Sequence, residues 1–105
     1  MERKLNISNM PDSHGIDKAT ITSLIERYYD KLGARMPGEL LMDVHFKEFH
    51  KTGQKEEVET KVKAVVAGFQ FHAEGRGWSA EKSVKMALNT IEKEAERAIQ
   101  KKKDG

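Results

Sequence analysis

One change of hydrophobic period constrains this chain more than anything else in it. In FQFHAEGRGWSAEKSVKMALNTIEKEAERAIQKKK, residues 69–103, the apolar side chains first recur every second position, at Phe69, Phe71 and Ala73. Beyond Ser79 they recur at helical spacing, at Val84, Ala87, Leu88, Ile91, Ala95 and Ala98. The first pattern is a strand with one buried face, the second a helix with one apolar stripe. The string Gly75-Arg76-Gly77-Trp78 between them reads as a tight turn. A strand joined so closely to a helix buries both apolar surfaces only if the helix folds back across its own sheet. Ser79 is placed to cap that helix, and Glu81 in its first turn suits the positive end of the helix dipole.

The preceding residues supply the rest of the sheet. Leu5 and Ile7 in RKLNIS (3–8) share one face of a short strand, and NMPDSHGID has loop composition. Ile21, Leu24, Ile25, Tyr28 and Leu32 follow an amphipathic helix, with Asp17 or Thr20 as its cap and Gly33 and Pro37 marking its end. Leu40, Met42, Val44 and Phe46 alternate inward against outward Asp43, His45 and Lys47. After the polar loop KTGQKEE, Val58, Thr60, Val62, Ala64 and Val66 alternate against Glu59, Lys61 and Lys63. Ala67-Gly68 is then a two-residue hairpin turn, although Ala is a poorer first residue there than Asn or Asp. Such a turn pairs Val66 with Phe69, which sets the apolar residues of both strands on one side.

The expected fold is therefore α+β, in the order β-α-β-β-β-α: a four-stranded mixed sheet with both helices on one face, like a double-stranded-RNA-binding domain. A right-handed crossover makes the first two strands parallel neighbours. Residues 1–105 are expected to form a single domain, with the basic tail 100–105 mobile.

Several chemistries are excluded by what is missing. The 105 residues include no cysteine, so thiolate sites and disulfides are out. His14, His45, His50 and His72 are scattered without metal-ligand spacing, and no metal or other cofactor is expected. No nucleophile elbow or phosphate-binding glycine loop occurs, and the carboxylates lie among lysines at ion-pair spacing, so an enzyme with a small-molecule substrate is not expected. With no apolar run near the ~20 residues a membrane span needs and no signal-peptide pattern, the expectation is a cytoplasmic protein without membrane contact. Charged residues make up 34% of the chain, yet its net charge is only +2. Any anionic partner must therefore be read from where the cations sit.

They sit on the helices. Arg27, Lys31 and Arg35 recur about once per turn on the flank of the first helix. Lys82, Lys85 and Lys93 share a polar arc of the second, and Arg97, Lys101, Lys102 and Lys103 carry positive charge to its end. Were the helices side by side, the two sets could form one phosphate-tracking surface. An ordinary solvated helix face fits the same residues, because Glu92, Glu94 and Glu96 are mixed among them. Arg76 in the turn has the same two readings, phosphate contact or plain exposure. Trp78 could stack on a base, but a Trp beside a helix start more often packs over the sheet edge, which is the expectation here. The outward set His45, Lys47, Lys61, Lys63 and His72 is diluted by Asp43, Glu59 and Glu74 and reads as a solvated face.

Nearly the whole chain resembles a known family, the short ribosome-associated inhibitor and hibernation-promoting factors. LNIS resembles the family's first strand and YYDKL the end of its first helix. FHAEGRGWSAEKSVKMALNTIEKEAERAIQKKKDG resembles, without a gap, its last strand, its Gly-x-Asp helix start, its second helix and its Lys-rich tail. The resemblance implies a translation inhibitor that lodges in the small ribosomal subunit, contacts ribosomal RNA through basic residues on the helical side, and blocks the decoding and mRNA channel in stressed cells. Lys31, Arg97, Lys101, Lys102 and Lys103 match basic positions of the family. The chain departs from the family pattern in Ser79 for the usual Asp cap, in a longer loop holding Pro11 and Gly15, and in the Glu92, Glu94, Glu96 run. The sequence stops soon after the second helix, so a short form without the dimerising domain is expected, monomeric off the ribosome. A double-stranded-RNA module using Lys82 and Lys85, or a small protein-interaction domain, are the alternatives.

Overall fold

A computed structural model describes residues 4–10, 18–36, 38–49 and 57–104, with the side chains of 49 and 102–104 left aside. Six elements follow in the expected order: β1 (Lys4–Ser8), α1 (Lys18–Arg35), β2 (Leu41–Phe49), β3 (Glu57–Val66), β4 (Phe69–Gly77) and α2 (Ala80–Asp104). The sheet order is β1-β2-β3-β4, with β1 parallel to β2 and both later pairs antiparallel. The hairpin closes as its parity requires, with Val66 opposite Phe69. Ala67 and Gly68 both adopt positive φ, 51° and 84°, as a primed two-residue turn demands. Ala67 thus holds a conformation that costs an L-residue about 1 kcal/mol or more.

One apolar cluster lies between the sheet and both helices. Met42, Val44, Phe46, Val58, Val62, Ala64 and Val66 point into it from the strands, Ile21, Ile25 and Leu32 from α1, and Val84, Leu88 and Ile91 from α2. Each strand presents alternate residues, so the opposite parity forms a polar face without helices. That face exposes Asp43, His45, Lys61, Lys63, His72 and Glu74. His45 sits there beside β1, its Nδ1 3.0 Å from Ser8 Oγ.

Four local expectations are corrected. Gly75-Arg76-Gly77 is no turn: β4 continues through it, with Gly75 opposite Thr60 and Gly77 opposite Val58. Gly75 serves the crossing of α2 instead, because a Cβ there would stand 2.0 Å from the Ser83 carbonyl oxygen. The strand–helix change is achieved by Trp78 and Ser79 alone. Trp78 does not pack over the sheet edge; it is 65% exposed. Even-numbered positions of β4 face away from the helices, and Trp78 follows Gly77 with that parity. Thr20 is the third residue of α1 rather than its cap, whereas Asp17 lies outside the described residues. Gly33 is inside α1, which runs on to Arg35, with Met36 N–H still donating to the Leu32 carbonyl at 3.1 Å. The second helix, α2, extends to Asp104.

The α2 start is capped as the sequence suggests. Ser79 Oγ accepts from Lys82 N–H at 3.2 Å, and the Ser79 carbonyl accepts from Ser83 N–H at 3.1 Å. Inside, Ser83 and Thr60 are fully buried and their hydroxyls lie 2.7 Å apart. Ser83 Oγ also donates to the Ala80 carbonyl at 3.0 Å. The pair fastens α2 to β3 and leaves neither hydroxyl unsatisfied.

Candidate RNA-binding surface

The structure sorts the candidate cations by their neighbours. A helix turns about 100° per residue, which sets Glu92 and Glu96 toward one flank of α2, Arg97, Lys101 and Glu94 toward the other, and Asn89, Lys82 and Lys93 along the crest between them. The first flank faces α1. There Lys31 Nζ lies 2.7 Å from Glu92, and Arg35 Nη1 lies 2.6 Å from Glu96 and 3.9 Å from Glu92. Tyr28 Oη donates to Asn89 Oδ1 at 2.7 Å in the same seam. Side-by-side helices do bring the two basic sets onto neighbouring elements, but α1's Lys31 and Arg35, about half exposed, are paired with carboxylates.

Two more candidates are also paired. Lys85 Nζ lies 3.2 Å from Glu81, one turn earlier on α2. Arg76, near the end of β4, reaches Glu59, 3.0 Å from its Nη2, with Glu57 3.8 Å from its Nε. It belongs to the face without helices, and so stands apart from the helical cations.

Lys82, Lys93, Arg97 and Lys101 are different. All four lie toward solvent, and no ion pair to any of them is formed among the described residues. Lys93, Arg97 and Lys101 stand at i, i+4, i+8, so three like charges follow one another on one ridge. Such spacing lowers helix stability by a few tenths of a kcal/mol per pair, partly offset by Glu94 and Glu96, which stand three residues from Arg97 and Lys93 and line the same concavity. The ridge borders an open concavity in which half-buried Phe69 of β4 lies beside Lys93, Arg97 and Lys101. Lys102 and Lys103 continue α2 beyond it. Arg27 lies at the opposite end, where Thr20, Leu24, Glu81 and Lys85 line a shallow groove between the two helix starts.

Sequence reasoning misjudged one residue and overlooked one feature. Trp78, expected to pack, is 65% accessible. The parity of β4 was signal enough for Trp78. The overlooked feature was the sorting of α2's acids toward α1, and the angular positions of Glu92 and Glu96 carried it.

No protein-family model matches the chain, and none of the curated proteins does. Among solved structures, the fold is shared with the Thermus thermophilus Protein Y N-terminal domain, at a TM-score of 0.67 and 17% identity over 92% of this chain and 98% of that one. A ribosomal subunit interface protein from Coxiella burnetii aligns over 95% of this chain and 99% of its own, at 13% identity and a TM-score of 0.49. At such identities the Thermus likeness speaks for the fold, which is the fold that the resemblance to hibernation factors led one to expect.

Proposed function

We propose that this protein is a ribosome-binding translation inhibitor of the hibernation-factor type, acting in the cytoplasm by occupying the decoding and mRNA channel of the small subunit. It holds ribosomal RNA without chemistry. The observation that carries this reading is the row of cations on α2's outer flank, Lys82, Lys93, Arg97 and Lys101, unpaired among the described residues and presented by a fold like that of the Protein Y domain. The ungapped resemblance from Phe71 to Gly105 supports the same conclusion. Among the candidate contacts, Lys82, Lys93, Arg97 and Lys101 lead, with Lys102, Lys103 and Arg27 extending the track. Lys31, Arg35, Arg76 and Lys85 contribute less, since each is already neutralised by a carboxylate.

Binding through phosphates releases counterions, so affinity should fall steeply as salt rises. The test is sedimentation of purified protein with ribosomal subunits through sucrose gradients over a salt series. Comigration with the small subunit at low salt, abolished as salt rises, is expected. Protein that stays at the top of the gradient at low salt refutes the proposal, and binding to naked duplex RNA but not to ribosomes favours a double-stranded-RNA module instead.

A further inference from the structure

The two edges of the sheet are finished differently. β1 is five residues long, carries Lys4, and has its first N–H held by Tyr29 Oη at 2.9 Å. Short length and a lysine keep an edge strand from pairing with another chain. β4 has neither. It runs nine residues, FQFHAEGRG, with no proline, no lysine and no bulge in its register with β3. Among the described residues no strand pairs on its outer side. The two-residue turn makes Val66 and Phe69 a hydrogen-bonded pair, so odd-numbered residues of β4 bond to β3. Even-numbered Gln70, His72 and Glu74 turn their N–H and C=O groups outward, as a ladder without a second side.

That ladder is complementary to itself. With a second β4 laid antiparallel about Ala73, His72 faces the partner's Glu74 and Gln70 the partner's Arg76, so no like charges oppose. An imidazole N–H can donate to the carboxylate it meets. On the helix side Phe71 falls opposite the partner's Gly75, and the central pair is alanine on alanine. In this register His72 and Glu74 form the hydrogen-bonded pairs that their outward groups require, and Ala73 forms the close, non-bonded one. Centring the pair on Glu74 instead would set two carboxylates against each other.

The helices leave room for such a pair. Ser83 spans both strands of the last hairpin: its hydroxyl lies 2.7 Å from that of Thr60 on β3, and its carbonyl closes over Gly75, the register partner of Thr60 on β4. The axis of α2 therefore lies over the β3–β4 seam, half a strand spacing inside the edge. With strands about 4.8 Å apart, two copies joined at β4 set their α2 axes roughly 10 Å apart, an ordinary distance between packed helices. Exposed Met86, beside Gly75 on the side of α2 away from α1, lies in the region that pairing would cover. Arg97 and Lys101 lie on that side too, with Glu94 among them, so the expected association is weak and concentration-dependent.

We propose that a second copy of this chain pairs along the free edge of β4, antiparallel and centred on Ala73, so that two four-stranded sheets become one. This goes beyond the ribosome reading and departs from the monomer expected from the sequence.

The test is sedimentation velocity of the purified protein, without ribosomes, from about 1 μM to 1 mM. It compares wild type, H72E, the exchange H72E with E74H, and H72P. Wild type should move from monomer toward dimer as concentration rises. In hydrogen exchange the amides of Gln70, His72 and Glu74 should be slowed only at the high end. H72E sets two carboxylate pairs against each other across the symmetric seam and should weaken association about 2- to 30-fold, whereas the exchange restores it. H72P removes an outward N–H without touching the ladder to β3, and should abolish the dimer while the monomer stays folded. Monomer throughout the range overturns the proposal. Dimers that H72E and H72P leave unchanged overturn it as well, since another surface then forms them. Weakening in H72E that the exchange fails to recover overturns the register about Ala73.

Discussion

The two flanks of α2 carry similar side chains and do opposite things. The inner flank turns Glu92, Glu96 and Asn89 to Lys31, Arg35 and Tyr28 of α1, so its charges are paired within the chain at the half-exposed helix seam. The outer flank turns Lys82, Lys93, Arg97 and Lys101 to solvent. In sequence these acids and bases alternate, and the helix looks like a mixed, solubilised surface. In space they separate in part, because a helix maps interleaved positions onto different sides: Glu92 and Glu96 reach α1, while Glu94 stays beside Arg97 and Lys101. A net charge of +2 therefore coexists with a cationic ridge. Neutralised cations are part of the fold, whereas unpaired ones at like-charge spacing reduce its stability and suit a partner's phosphates.

The most severe test of that division is to remove the outer set. Lys82, Lys93, Arg97 and Lys101 replaced together by Ala should lower affinity for small subunits by two orders of magnitude or more. The slope of log affinity against log salt should become shallower by about 3, because each phosphate left without its cation takes roughly 0.7–0.9 from it. Thermal stability should stay the same or rise slightly, since like-charge repulsion is relieved. Unchanged slope and affinity in a ribosome gradient would place the RNA-binding surface elsewhere.

Between those flanks, α2's buried face gives the reverse outcome. Thr60→Val strips the Ser83 hydroxyl of its cross-element partner in a fully buried site. Destabilisation by about 1–3 kcal/mol is expected from such orphaning, read by urea unfolding, with no change in ribosome affinity beyond that of the folded fraction. Ser83 keeps its bond to the Ala80 carbonyl, which points to the lower part of that range. Adding Ser83→Ala should recover stability, because removing both partners leaves nothing unsatisfied.

Much of this was legible in the residues. Strand alternation at Met42–Phe46 and Val58–Val66 fixed the buried faces, and the Val66–Phe69 pairing followed from turn length alone. Local rules sufficed there because a one-residue slip would expose the whole apolar set. What stayed hidden depended on two elements at once. Gly75 looks like a turn residue until α2 is laid over it, at a distance no Cβ could share. Trp78 looks like core until the strand's parity is carried through Gly77. The ownership of Glu92 and Glu96 needed the position of α1, which no spacing within α2 specifies.

The smallest effect should come from the inner flank. Lys31 and Arg35 are about half exposed, and exposed ion pairs contribute roughly 0–1 kcal/mol, so their joint replacement by Ala should lower stability by no more than about that amount. Were these two cations equal members of the RNA surface, the same double variant would weaken in affinity and salt slope as the outer set does. The division of α2 instead requires ribosome affinity within about threefold of wild type. The charge is still present, however, and can be released. Glu92→Gln with Glu96→Gln leaves the amides able to accept hydrogen bonds but removes two negative charges from beside Lys31 and Arg35. That variant should bind small subunits more tightly, with a salt slope steeper by up to about 2, as the freed cations become available to phosphate. Tighter binding in the Gln pair together with near-normal binding in the Ala pair would show that α1 is held out of the interface by α2's own glutamates. Severe weakening in the Ala pair would mean that Lys31 and Arg35 leave those glutamates for RNA, and that the inner and outer flanks act as one surface.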